Sequence, residues 1–458
     1  MAHGTGRMTE GSIPRHIVSF ALPVFLGQLF QQLYNVVDAL VVGNVLGPEA
    51  LAAVTSSGSL IFLLVGMFNG IFIGAGVVVS QYWGARDEEH VFQAVHTMLA
   101  FGLIAGAVLT GIGVALTPTI LRWMGTPEEV MPNSVLYFRI YFGGVLTIIL
   151  YNVSNGIFQA VGDSRHPLYF LIVSSCTNVL LDLLLVAVCG FGIAGAAVAT
   201  VISQGVSALL GLRRLHHATE AFRLDWKKVR FHPGMLGQIL KMGIPSGVQN
   251  SIISLANIVV QSHINSFGAL AMAGSGAYAK VEGFGFLPVT SFSMALTTFI
   301  GQNLGARRHD RVKKGARFGV LACACMSELL GLLIYWLIPT LIAAFNDTPE
   351  VIAYGTLHAR TTTLFYFLLA FSHAIAGVFR GAGKSVVPMT VMMVCWCFIR
   401  VAYITLAVPM PPLPDTDIRT LFACYPITWT LSSIAFTVYY FKADWLHAYD
   451  RAQEARAA

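Results

Sequence analysis

The 458-residue sequence is 56% hydrophobic and only 11% charged, with a mean hydropathy of +0.70 and a net charge of +6. Soluble domains carry about 25% charged residues, so this composition excludes a soluble enzyme and fits an integral membrane protein. The longest polar stretch, from Arg213 to Lys241, is too short to fold as a domain of its own.

The polar start, Met1 to Ser12, lacks the short apolar core and small-residue cleavage site of a removable signal peptide, and none is expected. A helix needs about 20 apolar residues to cross a bilayer. Runs of that kind fall near 15–42, 50–80, 90–118, 134–160, 166–188, 192–212, 237–265, 270–303, 312–338, 352–379, 386–409 and 418–441. The reading is therefore an all-α integral membrane fold of twelve spans. Lys and Arg concentrate on one side if the N-terminus lies inside: Arg7, Arg15, Arg86, Arg165, the clusters Arg213 to Lys241 and Arg307 to Arg317, Arg380, Lys384, Lys442, Arg451 and Arg456. By the positive-inside rule both termini are expected in the cytoplasm, with the protein in the cytoplasmic (inner) membrane. The basic net charge then reports topology and not nucleic-acid binding.

The chain repeats itself. Gln81 to Arg86 matches Gln302 to Arg307, Gly156 to Gly162 matches Gly377 to Gly383, Pro23 matches Pro245, and Thr126-Pro127-Glu128 matches Thr348-Pro349-Glu350. An even number of spans per repeat starts both halves on the same side, which makes them parallel repeats. The expected domains are a lobe over 1–220, a cytoplasmic linker over 221–234 and a lobe over 235–458.

On the first span Gln28, Gln31, Gln32, Asn35 and Asp38 share a helix face, as do Asn250, Ser254, Asn257 and Gln261 on the seventh. Unpaired amides facing lipid cost several kcal/mol each, so both stripes are expected to line a watery cavity or to bond between helices. These residues, with Asn155, are candidates for the substrate path. Intramembrane acids mark functional sites. At about 1.5 Å rise per residue, Asp38, Asp182 and Thr200 fall at similar depths, and Asn178 shares a face with Asp182. Their oxygens suit a Na⁺ ion, or the two acids share a proton, or they are structural acids bonded to Asn or Thr. In the second half the matching positions are Val260 for Asp38, Tyr403 for Asp182 and Ile399 for Asn178. The site, on this pattern, belongs to the first half alone.

Lys280, Glu282, Glu328 and Arg400 are further intramembrane charges, which line the substrate path or pair structurally, for example Glu282 with Arg400. Gly283, Gly285 and Pro288 predict a bend in the eighth span. His263 and His373 read as satisfied packing residues. The seven cysteines, including the pairs Cys323/Cys325 and Cys395/Cys397, read as small apolar packing residues, since no His or acid beside them completes a tetrahedral metal set. Gly190 to Gly195 spells a dinucleotide fingerprint without its strand. Gly383-Lys384-Ser385 ends like a phosphate loop, but the required first glycine falls on Val378. Neither ATP nor another cofactor is expected.

Taken together, Gln31 to Asp38, Gly47 to Val54, Ser80 to Arg86, Gly156 to Gly162, Asn178 with Asp182, and Gly192 to Thr200 resemble the MATE (multidrug and toxic compound extrusion) antiporters over nearly the whole chain. The resemblance implies two six-helix lobes around a cleft, exporting drugs or metabolites, amphipathic and cationic, in exchange for H⁺ or Na⁺. It also implies a cation site at the positions of Asp38, Asn178, Asp182 and Thr200. The acids of the NorM-like branch are absent, with Ile253 at the seventh-span position, so the chain sits nearer the DinF-like and MepA-like branches. The expected partners are a small-molecule substrate and the bilayer, and the protein is expected to act as a monomer. The alternative is a flippase of lipid-linked sugars, for which Lys280 and Arg400 would supply positive charge.

Overall fold

In a computed structural model of the full chain, the described residues are 7–123, 126, 128–410, 412, 416–447, 449–451 and 454. Among them, twelve helical segments follow one another: α1 Ile13–Leu46, α2 Pro48–Ala85, α3 Glu88–Trp123, α4 Met131–Gly143 continued by Val145–Ala160, α5 Arg165–Val188, α6 Gly192–His216, α7 Pro233–Ser266, α8 Ala269–Gly305, α9 His309–Ala343, α10 Pro349–Gly381, α11 Val386–Ala407 and α12 Ile418–Lys442. The elements between them are turns, with one 3₁₀ turn at Trp226–Lys228.

Chain contacts divide the protein into two compact units. The first holds Leu26–Gly243; the second holds Met8–Phe25 and Ile244–Ala458. The prolines inside α1 and α7, Pro23 and Pro245, lie next to the points where the chain passes from one unit to the other. A proline removes one ladder hydrogen bond and is a usual place for a helix to bend. Each unit has its own apolar core. The first packs Phe138, Phe142, Ile149 and Val153 against Val79 and Val95. The second packs Leu296, Phe299, Ala370 and Phe379 against Phe436.

The internal repeat is visible in the backbone. Left-handed residues recur 221 positions apart at Gly47 and Gly268, Arg86 and Arg307, and Gly162 and Gly383. The two arginines are the informative pair, because a left-handed conformation costs a side-chain-bearing residue about 1–2 kcal/mol. Both end a helix, where the strained residue lets following N–H groups satisfy the last carbonyls: Asp87 N bonds Tyr82 O, and Arg308 N bonds Asn303 O.

Several spans are broken, and only the α8 break, at Phe286 between Gly285 and Leu287, was expected. In α4 the chain bends by 48° at Gly144, where Val201 packs so closely that a Cβ would lie 2.2 Å from it. In α10 a 3₁₀ turn, Thr363–Phe365, interrupts the helix, and the Glu328 carboxylate accepts the Phe367 N–H at 3.0 Å. Glu328 therefore serves the backbone, which accounts for one of the intramembrane charges. In α12 the break falls at Ala423, with Pro426 in the first turn of the second piece, where no N–H is needed. π-helical turns occupy Leu183–Val188 in α5 and Met393–Ile399 in α11. The first begins directly after Asp182, and the second ends directly before Arg400.

Candidate functional site

The acids come together. Asp38, on α1, and Asp182, on α5, bring their carboxyl groups within electrostatic reach of each other. Tyr34, one turn before Asp38, lies close to the Thr200 side chain of α6 and within electrostatic reach of both acids. Tyr137 and Tyr141, on the first piece of α4, close the cluster from another direction. Asn178 and Asp182 are each 1% exposed, and Thr200 is buried with its hydroxyl donating to Ala196 O at 3.1 Å.

The polar atoms at the centre are left open. Asp38 Oδ1, both carboxylate oxygens of Asp182, and both side-chain atoms of Asn178 are buried without a hydrogen-bond partner from the protein. Buried polar groups are nearly always paired, and an unmade bond in a low-dielectric interior costs about 1–3 kcal/mol. A proton between the two carboxyls, or a cation among the carboxylate, amide and hydroxyl oxygens, would supply the missing partners. Among the described residues no set of three or more His, Cys, Asp or Glu is arranged for a metal. The donor set has two acids with neutral oxygens, which suits a proton or a weakly held monovalent cation better than a tightly bound transition metal. The π turn after Asp182 displaces the backbone ladder at the site, a frequent feature of functional positions in helices.

The other candidates are dispersed. Gln28 and Gln32 are partly buried on α1, and Asn35 is exposed. Asn155 accepts from Gln159 at 2.9 Å within α4, and Gln261 donates to Asn265 at 2.8 Å within α7. The Asn250 side chain is partly buried. Asn257 Oδ1 accepts from Arg400 Nη1 at 3.4 Å. Lys280 is exposed and Glu282 partly buried. Glu282 feels the Arg400 charge, but no direct ion pair joins them among the described residues. Arg400, 2% exposed, instead gives Nε and Nη2 to Thr428 Oγ1 at 3.3 and 3.0 Å and lies over the Tyr425 ring at 4.8 Å. Each of its three nitrogens has a protein partner, the arrangement of a structurally paired cation, with Thr428 and Asn257 as partners in place of Glu282, the example offered from the sequence. His263 is a packing residue, bonded to Val259 O at 2.9 Å. His373 differs from expectation: its Nε2 is buried with no partner.

The sequence pattern of the MatE family matches this chain twice, over residues 23–184 and again over 245–405. The chain belongs to the MatE family. The double match also restates the internal repeat, one copy per half. This MATE protein is 30% identical over 443 residues to the probable multidrug resistance protein YoeA of Bacillus subtilis (strain 168), with 95% of each chain covered. It is 28% identical over 402 residues to the probable multidrug resistance protein YpnP of the same organism, covering 87% of this chain and 89% of that one. A solved structure described as an outward-facing conformation of a multidrug resistance MATE family transporter of the MOP superfamily superposes with a TM-score of 0.89 at 22% identity, over 96% of this chain and 97% of that one. At that identity the likeness establishes the fold: a MATE-type, twelve-helix membrane protein.

Sequence reasoning missed the three tyrosines. Tyr34 was within reach of it, since it stands four residues before Asp38 on one helix face. Tyr137 and Tyr141 carried no signal, because only the packing of α4 brings them to the acids.

Proposed function

We propose that this MATE protein is a secondary active exporter of amphipathic organic compounds, driven by H⁺ or Na⁺ entering at Asp38 and Asp182. The observation that carries the reading is the pair of facing carboxyls in α1 and α5 with unbonded buried oxygens. Ion binding joins α1, α5 and α6 through Asp38, Asp182, Asn178 and Thr200, with Tyr34 beside the acids. A ligand shifts a conformational equilibrium only by binding one state better than the other. The ion therefore favours one of two access states, and the substrate favours the other. Names of the two Bacillus relatives support a multidrug substrate range. Cytoplasmic placement of both termini follows from the Lys and Arg distribution, and function as a monomer without ATP completes the proposal.

The flippase alternative leaned on Lys280 and Arg400. The engagement of Arg400 by Thr428 and Asn257 removes half of that support.

The test uses purified protein in liposomes with a pH gradient and a Na⁺ gradient imposed separately, following ethidium. Uphill dye movement under one gradient, lost in Asp38→Asn, is the expected result, and the active gradient names the ion. Undiminished gradient-driven movement in Asp38→Asn would refute the coupling role.

A further inference from the structure

In the second unit the circumstances of two arginines, Arg380 on α10 and Arg400 on α11, differ. Arg400 has partners for Nε, Nη1 and Nη2, as described above. Arg380, on α10, has one: Nη2 donates to Ser293 Oγ of α8 at 2.9 Å. Its Nε is buried without any partner. Among the described residues no carboxylate pairs with it, and the side chain retains partial exposure. The same Ser293 hydroxyl donates to the backbone carbonyl of His373 at 2.8 Å, so the Arg380 side chain and the His373 backbone meet at one serine. His373 precedes Arg380 by seven residues, two helical turns, and lies on the same face. Its Nε2 is also buried and unpartnered, while its ring packs edge-on against Phe286 and Trp396, with centroids 5.0 and 5.2 Å away.

A guanidinium cannot be neutralised in a protein, so an unpaired buried one is costly. Its position in the last turn of α10 gives some compensation from the helix dipole. The side chain, however, leans back to Ser293 and away from that end. What remains is a fixed positive charge with an unpaired buried N–H and, two turns back on the same helix face, an unpartnered imidazole nitrogen packed among aromatic rings. Guanidinium groups bind carboxylate and phosphate oxygens in a fork.

We propose that Arg380 and His373, with Ser293 positioning the guanidinium, form an anion-binding subsite that takes a carboxylate or phosphate group on an aromatic or amphipathic ligand. The site makes this MATE protein competent for zwitterionic or anionic substrates as well as cations. It rests on the export reading only for the word substrate, because binding is measured separately from transport.

The experiment uses the full-length protein in detergent and a matched dye pair, tetramethylrhodamine with its free carboxylate and its methyl ester, with affinities read by fluorescence polarisation. Arg380→Gln is expected to weaken the free-acid dye about tenfold or more while the ester changes less than about twofold, and Arg380→Lys is expected to recover part of the loss. His373→Gln should produce a smaller loss in the same direction. Equal affinity of Arg380→Gln and wild type for the free acid, or a wild type that binds only the ester, overturns the subsite. Adding phosphatidylglycerol to the micelles separates two sources of the anion. Displacement of the acid dye that disappears in Arg380→Gln assigns the site to a lipid phosphate, and no displacement assigns it to a soluble ligand. If Arg380→Gln does not fold, Ser293→Ala, which removes the shared hydroxyl and leaves the charge, must still lower acid-dye affinity selectively. Proteoliposome flux tests the export reading by itself: with intact acid-dye binding and no gradient-driven movement of either dye, the export reading falls and the subsite stands.

Discussion

The surroundings of Asp38 in the first unit and of Val260 in the second occupy matching places in the repeat, and they are built differently. Around Val260, 1% exposed, the second unit packs Ile264, Ala271, Ile404 and Val408, and Tyr403 turns its hydroxyl to Thr420 O at 3.0 Å. Around Asp38 the first unit gathers a second acid, an amide and three tyrosines, and leaves several oxygens unbonded. The same helix pair thus closes without acids in one half. The fold does not require Asp38 and Asp182, and retaining them costs burial energy that apolar side chains would not. The proposed ion-coupling role would account for their presence.

The largest effect expected from breaking this contrast is on transport. Asp38→Asn or Asp182→Asn should abolish gradient-driven dye movement in proteoliposomes while leaving the thermal unfolding temperature unchanged or raised, because one unpaired buried charge is removed. A fall in stability with intact transport would place the acids among the structural residues. The reverse experiment is Val260→Asp. It sets a carboxyl in a packed apolar cluster with no partner, and a loss of about 3–5 kcal/mol is expected, visible as poor yield and early unfolding. A well-folded Val260→Asp protein would show that the second unit tolerates an acid there and that the asymmetry is incidental.

Tyr34→Phe sharpens the comparison inside the first unit. Losing the one hydroxyl that lies within reach of both acids should lower transport several-fold and shift its pH or Na⁺ dependence without touching the fold; an unchanged profile would reduce Tyr34 to packing. The smallest effect is expected outside the membrane spans, at Asp163 in the turn before α5. Its carboxylate accepts from the N–H groups of Arg165 and His166 at 3.1 and 3.2 Å. Burial pushes this carboxyl up, but the hydrogen bond and charge of His166 and the two N–H groups outweigh it and hold it below the usual range. A depressed acid contributes stability above its unfolded value, near 4, and loses it as pH falls through the folded value. Asp163→Ala should therefore cost about 1 kcal/mol near neutral pH, and the difference from wild type should vanish on acidification in a thermal-shift series.

The twelve spans, the repeat and the acid pair were all legible in the chain. Apolar runs of bilayer length leave few alternatives, matching motifs at a constant offset define a repeat, and a carboxylate in an apolar helix stands out by its cost. Helix spacing also placed Asn178 with Asp182, since neighbours four apart are local geometry. The breaks in α4, α10 and α12, and the division of α1 between two units at Phe25 and Leu26, were not legible. They arise from contacts between distant segments: Val201 against Gly144, and Glu328 capturing the Phe367 amide. The arginines show the same limit most clearly. In the sequence Arg400 reads as an intramembrane charge that lines the substrate path or pairs structurally, and Arg380 as an inside topology marker. Only the structure tells them apart, because whether a charge is satisfied depends on what neighbouring helices place beside it: Thr428 and Asn257 around Arg400, and a single serine hydroxyl at Arg380.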